Sequence, residues 1–508
     1  MNLLTEQWIP VRPLPTGAAI KITMRKLLCE DAHWELSLPR DDMELAALQL
    51  LVCMAQVFFT PKDGGELKER IVSPLPPEKY DSGCAPYLDW FQLDHKDYPF
   101  MQVRGVNAKD PTPMDKLLAG LTGATNSCFV NEPGLGACLC GGCASIALFN
   151  QANNAPSFGG GFKGSLRGGA PVTTLVQGEH LRQTIWLNVL SKNRLVENLP
   201  WHQDTDNQKP TWVEPIRSGE NIPAQKIGLL RGLFWQPAHI ELMPPVENRV
   251  CCCCGATGEK VFHGFNKAKF NYTVAGLWPH PHSPRICSLK KGGREEKFVS
   301  FTTTAPAWTQ LSRFVVQKET GGGKVEGQEP AAVVRQAQCL VRSLRLTVGG
   351  YRNNQASILE RRHELIFLND GWSGHAGVVN DLVSQAIGYR DALNGAMNVF
   401  VKGIKKSKIK GTGIDIKKVA EEQFYRSSED TVLDTLARID FANAAPQLLA
   451  MGEKLHRIAE GLFNESVRPY LSDPELVRTM AVSRKTLHKH LRALKPQNVK
   501  GGVNGTHR

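Results

Sequence analysis

Val378-Val-Asn-Asp-Leu382-Val-Ser-Gln-Ala386-Ile-Gly-Tyr-Arg-Asp-Ala-Leu393-Asn-Gly-Ala-Met397-Asn-Val-Phe400 is where the chain changes character. Val379, Leu382, Ala386, Leu393, Met397 and Phe400 recur at steps of three, four or their multiples, which places them on one face of a helix. The stripe returns in Ile416 to Phe424, Leu448 to Leu462 and Leu476 to Leu494. The last helix is expected to start with Asp473 as N-cap and Pro474 at its first position, and to stop at Leu494 before Pro496. Four amphipathic helices on short connections predict an antiparallel bundle.

The residues before this point read differently: short strand-like runs, frequent Gly and Pro, and few helices. Met43 to Phe59 has helical spacing, with Asp41 and Asp42 available as N-terminal caps. Val172-Thr-Thr-Leu-Val176 and Thr184-Ile-Trp-Leu-Asn-Val-Leu190 read as strands by their β-branched content, and the polar, Gly-rich Thr320 to Pro330 as a flexible surface insertion. The fold expected is therefore α+β: a large mixed α/β N-terminal domain with long loops over residues 1–365, then a C-terminal four-helix bundle over 366–508.

At 508 residues the chain is too long for one compact core. Its most apolar stretch, Leu45 to Phe59, is broken by Gln49 and Gln56 and is too short to span a bilayer, so no membrane partner is expected. The 13 cysteines are clustered and no secretory signal opens the chain, which points to a reducing compartment, most simply the cytoplasm. A formal charge of +12 favours an acidic partner such as nucleic acid.

Cys140-Gly-Gly-Cys143 and Cys251-Cys-Cys-Cys254-Gly255 suggest a structural zinc site, because two Cys-x-x-Cys turns supply four thiolates and close a tetrahedral shell. Glycine at or just after each pair is expected to let backbone amides turn toward sulfur. Only Cys251 and Cys254 have the two-residue spacer, leaving Cys252 and Cys253 for packing and Cys138 and His263 as reserve ligands. Buried unligated cysteines and a redox dithiol are the competing readings.

Several motifs fail. Phe158-Gly-Gly-Gly-Phe-Lys-Gly-Ser165 lacks the Lys-Ser or Lys-Thr of a phosphate loop, Gly134-x-Gly136 lacks a third glycine, and Pro279-His280-Pro281-His282 is too rigidly extended for a two-histidine metal clamp. What remains is a bare triple glycine, fit either for a tight bend or for bringing backbone close to something grooved, and Arg352-Asn-Asn-Gln355, whose amides suit base edges or a polar turn. Five lysines between Val401 and Lys410, with Lys405 to Lys410 the densest part, could grip phosphates or simply be solvated. The same choice applies to Arg484, Lys485, His488, Lys489 and Arg492.

Together, Trp8-Ile-Pro-Val, Ser37-Leu-Pro-Arg-Asp-Asp-Met-Glu-Leu-Ala-Ala-Leu, Phe129-Val-Asn, Cys140-Gly-Gly-Cys, Phe158-Gly-Gly-Gly-Phe-Lys, Arg231-Gly-Leu-Phe-Trp-Gln-Pro-Ala-His, Leu277-Trp-Pro-His-Pro-His-Ser-Pro and Gly350-Tyr-Arg-Asn-Asn-Gln-Ala-Ser closely resemble the CasA family, the large subunits of the type I-E CRISPR surveillance complex Cascade. The resemblance implies a non-enzymatic DNA reader with a zinc-bearing N-terminal domain and a helical bundle. Such a subunit recognises a protospacer-adjacent motif in double-stranded DNA and starts strand opening for a guide RNA held by other subunits, which then leads to a helicase-nuclease.

By the same resemblance, Gly159, Gly160 and Gly161 form the glycine loop at the minor groove, and Lys269 is the lysine finger, with Lys267 as its rival. Gln355 is the wedge with Asn354 beside it, Phe129, Val130 and Asn131 dock on the guide RNA, and Cys140, Cys143, Cys251 and Cys254 hold zinc. The first glycine-loop position falls on Ser157 or Phe158 where the family pattern has another Gly. A different class is a zinc-containing enzyme acting on nucleic acid through His280 or His282, disfavoured because a four-thiolate site is closed and no carboxylate pair accompanies it.

Overall fold

The computed structural model describes residues 1–121, 134–205, 207–290, 293–320, 326–407 and 415–494. The chain forms two compact units, one of Met1–Thr303 with Arg313–Leu365, the other of Thr304–Ser312 with Ile366–Arg508.

The first unit is α+β, and its core is helical. The helix Asp41–Phe58 is buried on almost every face and packs on Gly141–Asn153, which is buried along its whole length. Arg40, without a side-chain cap, is the N-cap of the first helix; Asp41, Asp42 and Glu44 lie inside its first turn and not ahead of it, where their charge complements the helix dipole. Around these helices stand small sheets of two or three strands.

One sheet positions the candidate interface. Thr173–Val176 pairs antiparallel with Leu344–Asn354, from Leu346↔Val176 to Gly349↔Thr173, and the latter strand is hydrogen-bonded on its other side to Ser357–Leu368. Gly349 and Gly350 let this strand lie against its neighbours: a Cβ would stand 2.4 Å from Leu45 Cδ2 at Gly349 and 2.8 Å from the Pro171 oxygen at Gly350. They serve close approach.

Two expectations need correction. Thr184 to Leu190 is not a strand: Leu181–Leu187 is a helix whose His180 N-cap accepts from the Gln183 amide, and Asn188 follows as its C-cap. Every residue from 184 to 190 is buried, so the segment offered neither helical nor alternating polarity to read. Nor is Thr320 to Pro330 wholly a surface insertion, since Gly327–Glu329 pairs with Arg285–Lys290 while 321–325 lie outside the described residues.

In the second unit, helices Ala376–Lys406, Ile416–Arg438, Ala445–Val467 and Val477–Ala493 pack together, with every member of the Val379 to Phe400 stripe fully buried. Their directions follow from which residues meet. Gly388 faces Leu494, Gly395 faces His490 and Gly403 faces Thr479, so the first and fourth helices run antiparallel. Arg390 and Asn394 reach Glu421, and Arg390 reaches Tyr425, which makes the first and second antiparallel.

Pro474–Leu476 forms a 3-10 turn before the last α-helix begins, with Asp473 at its N-cap position but making no side-chain capping bond. The basic run does not simply link two helices: Lys402, Lys405 and Lys406 are exposed on the end of the first, where lysines complement the C-terminal dipole, and Lys408 and Lys410 lie outside the described residues.

Candidate nucleic-acid interface and cysteine cluster

Gly159, Gly160 and Gly161 all adopt left-handed backbone, with φ of +76°, +57° and +88°, and the Phe162 amide closes the turn on the Gly159 carbonyl at 3.0 Å. Three such residues in succession explain why no other amino acid stands there. Six residues beyond Gly161, Arg167 is a buried guanidinium that donates to the Asn153 carbonyl, Asn154 Oδ1, Thr173 Oγ1 and Ser283 Oγ.

Two elements distant in sequence meet this loop. Lys269, exposed at the end of the strand Gly264–Ala268, donates from Nζ to the Gly160 carbonyl at 3.0 Å, and a Cβ at Gly161 would lie 3.3 Å from the same Nζ. A Cβ at Gly159 would lie 3.1 Å from the Cβ of Ala356. Thus the glycine loop, Lys269 and the Gln355-Ala356 turn form one exposed cluster. Lys267 stands apart from Lys269: its ammonium lies 4.2 Å from the Phe158 ring centroid and 5.6 Å from that of Phe162, and burial, then the charge of Lys116, lowers its pKa.

The Gln355 backbone is left-handed at φ +53°, an uncommon state for a residue with a side chain, and Asn353 Nδ2 donates to the Gln355 carbonyl at 2.5 Å. Asn354 and Gln355 are exposed. The base of this turn is fixed to the core. Tyr351, fully buried, donates to Asp42 Oδ2 at 2.8 Å and accepts from Asn150 Nδ2, while Arg40 and Arg361 pair with the same carboxylate. Burial works against the charge on Asp42, but Arg40 and Arg361 hold its pKa below the usual carboxylate range. Sequence reading missed this anchor and the Lys267 aromatic seat. The aromatics flanking the glycines were the one visible signal of the seat, and no spacing links residues 42 and 351.

The cysteine arms also converge. Leu139–Cys140 pairs antiparallel with Glu259–Phe262, Cys140 opposite Val261, and the sulfurs of Cys140, Cys143, Cys251 and Cys254 all lie within 4.8 Å of one another. Cys140 and Cys254 sulfurs are 3.7 Å apart, far beyond a disulfide bond and close to the roughly 3.8 Å that tetrahedral metal–sulfur bonds of about 2.3 Å impose. The Cys140 amide donates to Cys251 Sγ at 3.2 Å, and Lys21 Nζ lies 3.1 Å from Cys140 Sγ and 2.5 Å from Glu259. Four converging thiols with a partly buried cation beside them fit a metal ion.

The two glycines between Cys140 and Cys143 do not turn amides toward sulfur. They open a helix, and a Cβ on Gly142 would stand 2.4 Å from the Trp8 carbonyl oxygen, so the spacing serves packing; Gly255, at φ +73°, does shape its turn.

Cys53, His280 and His282 form a second group of potential ligands, all buried. Burial, with the Arg167 guanidinium next, pushes His282 down to about 3 and His280 well below its usual value. Enclosed, neutral histidines offer a substrate nothing to meet. Phe129, Val130 and Asn131 lie outside the described residues. No described helix is long and apolar enough to cross a membrane.

A family model for CRISPR-associated protein Cse1 matches residues 2–462. Among solved structures, Thermobifida fusca Cse1 is similar at 18% identity and a TM-score of 0.73, covering 98% of this chain and 99% of that one. Thermus thermophilus CasA (Cse1) is similar at 17% identity and 0.69, covering 96% and 99%. A chain of a CRISPR RNA-guided surveillance complex matches at 14% identity and 0.63, covering 96% and 99%. At these identities the structural likeness is one of fold.

Proposed function

The chain belongs to the CRISPR-associated Cse1 family, the CasA large subunits of type I-E Cascade, and from that membership we propose that it reads the protospacer-adjacent motif in double-stranded DNA through the minor groove and starts strand opening. The observation that carries this reading is the convergence of the glycine loop, Lys269 and the Gln355 turn in one exposed cluster.

A minor groove is narrow and separates chiefly A·T from G·C, so bare backbone with one long cation suits it, and the readout is degenerate. Gly159, Gly160 and Gly161 present that backbone and Lys269 the cation. Gln355, with Asn354 beside it, then enters the first step. Unstacking costs a few kcal/mol, offset by supercoiling and by RNA pairing.

In this role the chain works in the cytoplasm with guide RNA and the other Cascade subunits, docks on the RNA through Phe129, Val130 and Asn131, and helps recruit a helicase-nuclease without catalysing a reaction itself. One zinc held by Cys140, Cys143, Cys251 and Cys254 is structural: it joins the two cysteine arms and leaves no open coordination position. Metal analysis should find one zinc per chain; none, with all four thiols freely alkylated, overturns the assignment.

The test of function is reconstitution. Complex assembled with guide RNA should form an RNA-paired loop quickly on targets bearing the adjacent motif, and slowly when this chain is omitted. Equal rates with and without it would sink the proposal, and guide-independent hydrolysis of DNA would favour an enzyme.

A further inference from the structure

The glycine loop is gripped from one strand at three points. Phe265 and Lys267 stand at alternate positions of Gly264–Ala268, and Lys269 follows at the same step just past its end, so all three side chains reach the same neighbour. The buried Phe265 ring lies 6.0 Å from that of Phe158, and Lys269 Nζ holds the Gly160 carbonyl. Lys267 is the middle point: its ammonium lies over Phe158 and Phe162, the two rings that bracket the glycines and meet each other edge-on at 5.5 Å and 75°. That ammonium is half-buried and has lost part of its water, the condition in which a ring face holds a cation best. Three successive glycines have more backbone freedom to lose than other residues, so the turn that the Phe162 amide closes on Gly159 gains from flanks that are already fixed.

We propose that Lys267 is a positioning residue of the glycine loop: by holding the Phe158 and Phe162 rings together it fixes the left-handed backbone of Gly159, Gly160 and Gly161 before DNA arrives, and it takes no phosphate itself. Given the minor-groove role proposed above, on which this assignment rests, the strand divides its two lysines by task. Lys269 offers its charge to the groove, and Lys267 turns its own inward on the electron-rich faces of the rings. A neutral side chain of similar length fills the seat but gives those faces no cation to hold. The loop then samples other backbone forms, and apparent affinity for the groove falls by the fraction of molecules that still carry the competent one. An arginine keeps the attraction.

The test compares, in the assembled complex, Lys267→Met, Lys267→Arg, Phe162→Leu and the double variant of Lys267→Met with Phe162→Leu. Hydrogen exchange at the backbone amide of residue 162 reports the turn without reference to DNA. It should run about fivefold faster or more in Lys267→Met and return towards the wild-type rate in Lys267→Arg. Binding of Lys267→Met to motif-bearing duplex should weaken about fivefold, with a smaller loss on motif-free duplex and an unchanged salt slope, because no phosphate contact leaves with the charge. The double variant should bind no worse than the weaker single one, since both changes remove the same contact. Unchanged exchange at residue 162 overturns the proposal. So do losses that add in the double variant, or a salt slope lower by about one, which makes Lys267 a phosphate contact. If exchange quickens while Lys267→Met and Lys269→Ala each lose equally on both duplexes, the positioning stands and the minor-groove reading falls. Should Lys267→Met fail to assemble, Phe162→Leu carries the comparison from the other side: its residue 162 amide should exchange faster, and an unchanged rate overturns the proposal.

Discussion

Lys269 Nζ donates to the carbonyl oxygen of Gly160 across 3.0 Å, so the cation is fastened to the loop beside which it is proposed to work. An ammonium has three protons, and one such bond leaves two for an acceptor in the groove. Lys269→Ala should weaken binding of the assembled complex to motif-bearing DNA about tenfold, near 1.4 kcal/mol, and weaken motif-free binding less. Binding measured on both duplexes decides: equal losses reduce Lys269 to a general phosphate contact.

Gln355 sits at φ +53°, where a side chain costs about 1–2 kcal/mol and glycine almost none. Gln355→Gly should therefore raise thermal stability slightly while slowing formation of the RNA-paired loop. The salt dependence of duplex binding should stay put, since no phosphate is neutralised. A target already unpaired at its first positions should restore the rate; a persistent defect there would show that the side chain does something other than opening.

Asp42 is buried between Arg40, Arg361 and Tyr351. Its folded pKa lies below the unfolded value, so its contribution is complete at neutral pH and drains away as pH falls below about 3.9. Asp42→Asn should cost about 3–5 kcal/mol by leaving a buried guanidinium unpaired, and should flatten the acid limb of stability measured by denaturant titration. An unchanged acid limb would remove Asp42 from that linkage.

Glycines in the bundle should respond with opposite sign. Gly461 has nothing near its missing Cβ, so Gly461→Ala should gain up to about 1 kcal/mol of helix propensity. At Gly403 a Cβ would stand 2.1 Å from Thr479 Cγ2, and Gly403→Ala should lose about 1–3 kcal/mol to overpacking. Calorimetry of both variants checks the pair.

What the chain disclosed before its structure was known follows from range. The Val379 to Phe400 stripe was legible because three- and four-residue spacing is local. Leu181–Leu187 was misread because burial on all sides erases periodicity and its β-branched residues imitate a strand. The difference between Lys267 and Lys269 was illegible, since it depends on rings about a hundred residues earlier that seat one and leave the other exposed. The tie from Asp42 to Tyr351 crosses the chain and has no spacing to betray it.

The strands that meet at Gln355 are supported unevenly. Leu344–Asn354 has the Thr173–Val176 strand beside it only from Leu346 to Gly349, and Tyr351 and Arg361 then fasten both limbs to Asp42. Past that point the ribbon is braced by a bridge from Arg352 to Phe301 and by Ala356 against Gly159. In the proposed role, a base pair resisting the tip loads the Asp42 clamp and these braces together. Part of the load that DNA places on the tip is thus carried deep in the protein, by a carboxylate on the buried helix Asp41–Phe58.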